Sequence, residues 1–212
     1  MEVKKQSLAD QAYEKIKNNI LTLTYAPGMT LTEAMLTSEL GMSRNPVRAA
    51  IRMLQTEGLI VSNYYKSMTV KDITDKDIYE IYQLRELLEG EAFQLIFKSG
   101  RAQEYSYRIE EKVVRMNAVA DDIYEWELAD TKMHMEIVSI FDNDRINRIY
   151  ETNLSELIRM GLYSVRNGMH IPSTNANLKL LIEHMRNNDY KRAYEILQKD
   201  HFETGRDNAL KK

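Results

Sequence analysis

Apolar residues recur at helical spacing through most of the 212-residue chain. Leu8, Ala12, Ile16, Ile20 and Leu23 follow one another at intervals of three and four, the stripe of an amphipathic helix. Ser7 offers a side-chain oxygen to the first free amides of that helix. Tyr25-Ala26-Pro27-Gly28 breaks it, Pro fixing φ and Gly admitting positive φ. Thr32 starts a short helix through Leu40, and Gly41 ends it. Ser43 caps a third helix, with Pro46 in the first turn, where no intrahelical partner is lost. That helix runs to about Glu57 and stops at Gly58. Residues 59–63 and 68–73 are β-rich and joined by 64–67, the pattern of a small hairpin.

From Thr74 onward the periodicity is helical to the end. Six helices are predicted, over about 74–98, 101–119, 121–141, 144–166, 174–187 and 189–208. Ser99-Gly100, Asp142-Asn143, a loop holding Gly168 and Pro172, and Asn188-Asp189 are among the breaks. Tyr79, Tyr82, Leu84, Leu87 and Leu88 are expected in the core of this bundle. The natural boundary lies at 72–76, giving one domain over 1–73 and a second over 74–212.

Composition narrows the class. Hydrophobic residues at 43% and charged residues at 29% argue against a disordered chain. With 8 Gly and 3 Pro, a sandwich with a turn every ten residues is disfavoured. Cys is absent, which excludes disulfides, thiolate metal sites and a Cys nucleophile. No run of about 18 apolar residues suggests a membrane span, and the polar start does not resemble a signal peptide. A cytoplasmic location is the expectation. Residues 1–73 hold 9 basic and 7 acidic groups, whereas 74–212 hold 20 and 25. Only the N-terminal part is therefore suited to a polyanion.

Two helices joined by a tight Gly turn, followed by a hairpin, make a winged helix-turn-helix. On the third helix Val47, Ala50, Ile51 and Leu54 cluster on one side. Arg44, Arg48 and Arg52, at i, i+4 and i+8, form an adjacent stripe flanked by Asn45 and Gln55. A guanidinium fork reaches guanine O6 and N7 together or bridges phosphate oxygens. A charged stripe of this kind also occurs as a plain solvated face.

Ala26-Pro27-Gly28-Met29-Thr30-Leu31, the Ser43-Arg44-Asn45-Pro46-Val47-Arg48 run and Glu57-Gly58-Leu59-Ile60 closely resemble the GntR superfamily of bacterial transcription regulators. The resemblance covers about residues 7–71. It implies base contacts from Arg44 and Arg48, with Asn45 beside them, and phosphate contacts from Ser43 and Arg52. Where the family's wing tip holds a Gly, this chain has Tyr65-Lys66-Ser67, which makes Lys66 the candidate wing contact. Ala34 stands where some members have a further DNA-contacting Arg.

Residues 78–91 read IYEIYQLRELLEGE. With Asp130-x-x-x-His134 and Asn188-Asp189-x-x-x-Ala193, this part resembles the FadR-like C-terminal domain termed FCD, over about 74–205. The resemblance implies an antiparallel helical bundle that dimerises and binds a small effector, often a carboxylate. Many members hold a divalent metal with one Asp and three His. Asp130 and His134 match two of these, and their i, i+4 spacing suits chelation. The other two positions fall at Leu178 and Asp200, with His201 displaced by one residue and His184 on another face. Asp130, His134 and Asp200 are thus the candidate ligands for a Zn, Ni or Mn ion. A simple hydrogen-bonded pair of Asp130 and His134 is the alternative. Arg85 faces the effector in such domains, or pairs with Glu89 one turn on. Arg85, Asp130 and His134 are therefore the candidate effector contacts.

The expectation is a mainly α protein, a winged helix-turn-helix followed by an antiparallel all-α bundle. Functionally it is a dimeric, ligand-responsive regulator that binds a palindromic duplex and an organic-acid effector. The rivals are a metal-dependent enzyme built on Asp130 and His134, and a ligand-binding module without DNA affinity. No His-Glu-x-x-His run, nucleophile elbow or phosphate loop supports the enzyme, so no catalytic residue is assigned.

Overall fold

In a computed structural model the chain is described over residues 6–62 and 67–211. It forms two compact units, Met1–Ile73 and Thr74–Lys212. In the first, helix α1 (Leu8–Leu21) opens on a capping box between Ser7 and Asp10. Strand β1 (Thr30–Leu31) precedes α2 (Glu33–Leu40), whose cap is Thr32 accepting from the Met35 amide. Gly41 turns the chain at φ 61°, a left-handed conformation that carries little penalty without a Cβ. Helix α3 (Arg44–Thr56) follows directly. Ser43 sits at its cap position, but its hydroxyl makes no capping bond, contrary to the capping role expected.

Strands β2 (Ile60–Ser62) and β3 (Met68–Val70) form the expected hairpin, and β1 joins them in an antiparallel sheet of order β1-β3-β2. Val47, Ala50 and Leu54 of α3 are buried against Ala12, Ile16 and Ile20 of α1. The hydrophobic face thus fixes which face of α3 remains outside.

The second unit is all helical. Helix α4 (Asp75–Lys98) starts on a Thr74–Asp77 capping box. Then come α5 (Ala102–Ala118), α6 (Ile123–Val138, capped by Asp122), a 3-10 turn, α7 (Asp144–Thr152) and α8 (Leu154–Arg166). The single helix expected over 144–166 is broken at Asn153. Helices α9 (Ile171–Arg186) and α10 (Tyr190–Ile196) lead into a π-helical stretch, Leu197–Glu203, and α11 (Thr204–Ala209). The core lies where α5 packs on α6 and α9, with Trp126, Phe93, Ile109 and Leu178 fully buried. Tyr82 is buried as expected; Tyr79 and Leu87 are instead 56% and 61% exposed, because the buried face of α4 runs through Ile78, Ile81, Tyr82 and Glu89. No described helix is long and apolar enough to cross a membrane.

Candidate nucleic-acid interface and metal centre

Burial of Val47, Ala50, Ile51 and Leu54 leaves Arg44, Asn45, Arg48 and Arg52 exposed on the adjacent face of α3. Ser43 is exposed at the N-terminus of the same helix, where unpaired amides favour phosphate. These side chains border a groove of about 660 Å³ between α2, α3 and the hairpin, lined by Glu33, Arg44, Arg48, Arg52 and Ser67 among others. Gln55 Nε2 donates to Ser62 Oγ at 2.6 Å, tying α3 to β2. At the helix end, Glu57 accepts from Tyr13 and pairs with Lys17 at 2.5 Å, which anchors α3 on α1. Arg48 is not free: its Nε donates to both Glu33 oxygens, at 2.9 and 2.8 Å. The sequence reading missed Glu33, although an acid at the first position of α2 was visible. Lys66, the wing candidate, lies outside the described residues.

In the second unit, α6 brings Asp130 and His134 to one face, and the π-helical stretch delivers His201. One ligand atom from each lies within 4.8 Å of the others, and all three residues are buried. Asp200 is half-buried outside this cluster, which corrects the expected ligand set. The reason is local. In a π-helix the hydrogen bonds run i→i+5, which absorbs one residue more per turn and restores the one-position displacement of His201. Leu178 is fully buried in the apolar core and offers no donor. His184 lies 3.7 Å from Asp189, and His170 is exposed and bonded to Ser173.

Glu89 is the hub behind the cluster. Its Oε1 accepts from Arg85 Nε and from the Tyr150 hydroxyl, each at 2.8 Å, and its Oε2 lies 2.6 Å from His134 Nδ1. The alternative pairing of Arg85 with Glu89 is thus present, while Arg85 Nη2 remains buried without a hydrogen-bond partner. Burial works against ionised Glu89, but Arg85 and His134 outweigh it and hold the carboxyl well below its usual range. Burial and Arg85 pull His134 down, yet Glu89 and Asp130 leave it raised. His201, desolvated and facing His134, is pushed down to about 3 and so stays neutral with a lone pair available. Glu127 is pushed well up by burial and by Asp130.

Asp130 Oδ1, His134 Nε2 and His201 Nε2 are buried without hydrogen-bond partners. His134 Nε2 and Asp130 Oδ2 stand 3.4 Å apart. Two ligands at about 2.0–2.1 Å from a tetrahedral zinc would be separated by about 3.3 Å. One carboxylate and two imidazoles are also a donor set for zinc, nickel or manganese. The residues therefore fit a three-ligand metal centre. Glu89 supports it as a carboxylate behind a ligating imidazole.

A buried-backed helix presenting arginines, with a hairpin wing and a separate all-helical unit, defines the class of winged-helix DNA-binding regulators. The chain belongs to the GntR family: residues 8–70 match the family described as bacterial regulatory proteins, gntR family, and residues 80–203 match the FCD domain. It is thus a GntR-type transcriptional regulator with an FCD domain. The HTH-type transcriptional regulator YdhC of Bacillus subtilis is 25% identical over 202 residues, 94% of this chain and 85% of the relative. The gluconate operon transcriptional repressor of Bacillus subtilis is 29% identical over 142 residues, 66% of this chain and 57% of that protein. A solved transcriptional regulator from Rhodococcus sp. RHA1 shares the fold, with a TM-score of 0.74 at 18% identity over 97% of this chain and 98% of that one.

Proposed function

We propose that the protein acts as a homodimer that places α3 of each protomer in a major groove of a palindromic operator, and that an anionic effector in the FCD domain changes its affinity for DNA. The observation carrying this reading is the exposed Arg44–Arg48–Arg52 stripe, beside the face buried by Val47, Ala50 and Leu54. Arg44 and Arg48 read bases, with Asn45 beside them. Ser43 and Arg52 hold phosphates and set the register. The N-terminal unit is 1–73 and the effector unit is 74–212.

Asp130, His134 and His201 would hold a divalent ion, which when bound supplies a Lewis-acidic position for an anionic oxygen. Glu89 Oε2, 2.6 Å from His134 Nδ1, would favour the proton on that nitrogen and so leave Nε2 as the ligating atom. Arg85 and the Tyr150 hydroxyl hold Glu89 in place. The unpartnered Arg85 Nη2 is the group left for an organic-acid effector. A relative that represses a gluconate operon accords with an effector of that class. We read the centre as a sensor rather than a catalyst because the relatives above are named as transcriptional regulators.

Footprinting on an operator selected from genomic fragments tests this. Two protected half-sites in inverted repeat, about one helical turn apart, are expected. A single protected half-site, or uniform protection, contradicts the dimer reading.

A further inference from the structure

We propose that Glu33 is a specificity-determining residue, which holds Arg48 by its Nε–H and presents the two terminal nitrogens of that guanidinium as a preset fork toward the bases. This rests on the reading of α3 as the recognition helix. The Glu33 side chain is 37% exposed and that of Arg48 53% exposed, so the pair sits at the rim of the groove. Glu33 is the first residue of α2, its helix is capped by Thr32, and a carboxylate is favoured at a helix N-terminus. Both of its oxygens approach one atom, Arg48 Nε, at 2.9 and 2.8 Å. Arg48 Nη1 and Nη2 have no partner among the described residues. Those are the nitrogens that can meet guanine O6 and N7 together.

The arrangement is selective. Arg44 and Arg52 line the same groove without an ion-pair partner among the described residues. A free arginine loses rotamer freedom on docking, and one paired at the groove rim has given up part of it beforehand. Glu33 also places a negative charge in a groove meant for a polyanion. That charge opposes binding to every duplex alike, so it lowers affinity for any sequence. Positioning of Arg48 acts only where the bases fit. The two effects have different signatures: loss of repulsion raises all affinities together, whereas loss of positioning narrows the gap between sequences.

The full-length protein, Glu33→Gln, Glu33→Asp, Arg48→Ala and the Glu33→Gln/Arg48→Ala double variant are titrated with a selected operator, its single-base variants and a scrambled duplex. Glu33→Gln should lower the operator-to-scrambled affinity ratio about tenfold, without weakening scrambled binding. The loss should map to the same base pair that Arg48→Ala affects. In the Arg48→Ala background, Glu33→Gln should leave the ratio unchanged; with Arg48 present, Glu33→Asp should keep part of the wild-type ratio. A wild-type ratio in Glu33→Gln, or an equal effect with and without Arg48, overturns the proposal while α3 remains the reading helix. If the wild type itself prefers no duplex, the recognition-helix reading fails and this inference falls with it.

Discussion

Asp130 Oδ1, His134 Nε2 and His201 Nε2 are three polar atoms withdrawn from water with nothing to bond. Each such atom costs on the order of 1–3 kcal/mol. One ion bound among them would satisfy these groups, so zinc should raise the melting temperature and chelator should lower it, as calorimetry would read. His201→Ala should abolish the zinc-dependent shift and Asp200→Ala should keep it. The reverse pattern would return Asp200 to the ligand set. Glu127 gives a second test. A Cβ on Gly161 would come within 1.8 Å of its Oε1, so Gly161→Ala should destabilise by about 1–3 kcal/mol in urea unfolding. Glu127 binds its proton more tightly folded than unfolded, so its contribution falls as pH rises from the ordinary carboxyl range toward its raised value. Glu127→Gln should remove that slope; an unchanged stability–pH curve would show Glu127 ionised.

At the scale of elements, what could be read in advance depended on whether the physics was local. Helix α3 was legible because its buried stripe, Pro46 and the bounding glycines all act within a few residues. Strand β1 was not, since Thr30–Leu31 is too short to show a period of two and exists only by pairing with β3. The break at Asn153 carries no Gly or Pro. The π-helical stretch misled the ligand assignment because a 100° wheel assumes i→i+4 bonding throughout. Asp130 and His134 were found through the resemblance to FCD domains, and their i, i+4 spacing on one helix agreed with it, whereas Glu89 was read only as a partner for Arg85. Its bonds to Tyr150 and its approach to His134 come from packing across helices. If the π-turn selects His201, moving the imidazole by the double change Asp200→His/His201→Ala should not restore zinc binding. Restored binding in equilibrium dialysis would mean that the segment is α-helical in solution.

For the whole molecule, the family assignment and the charge split point to one end as the DNA-binding part. The first 73 residues carry net positive charge and the remainder net negative, so phosphate contact belongs to the former. Operator affinity should therefore fall steeply with salt, by about 0.9 log units per log unit of salt for each phosphate neutralised. The most direct test of the central claim is selection of genomic fragments at physiological salt by the wild type and by Arg44→Ala/Arg48→Ala, with and without zinc. An inverted-repeat sequence enriched by the wild type and lost by the variant, at unchanged fold by circular dichroism, is the predicted result. No enrichment under any condition, or the same sequence enriched by both proteins, would contradict it.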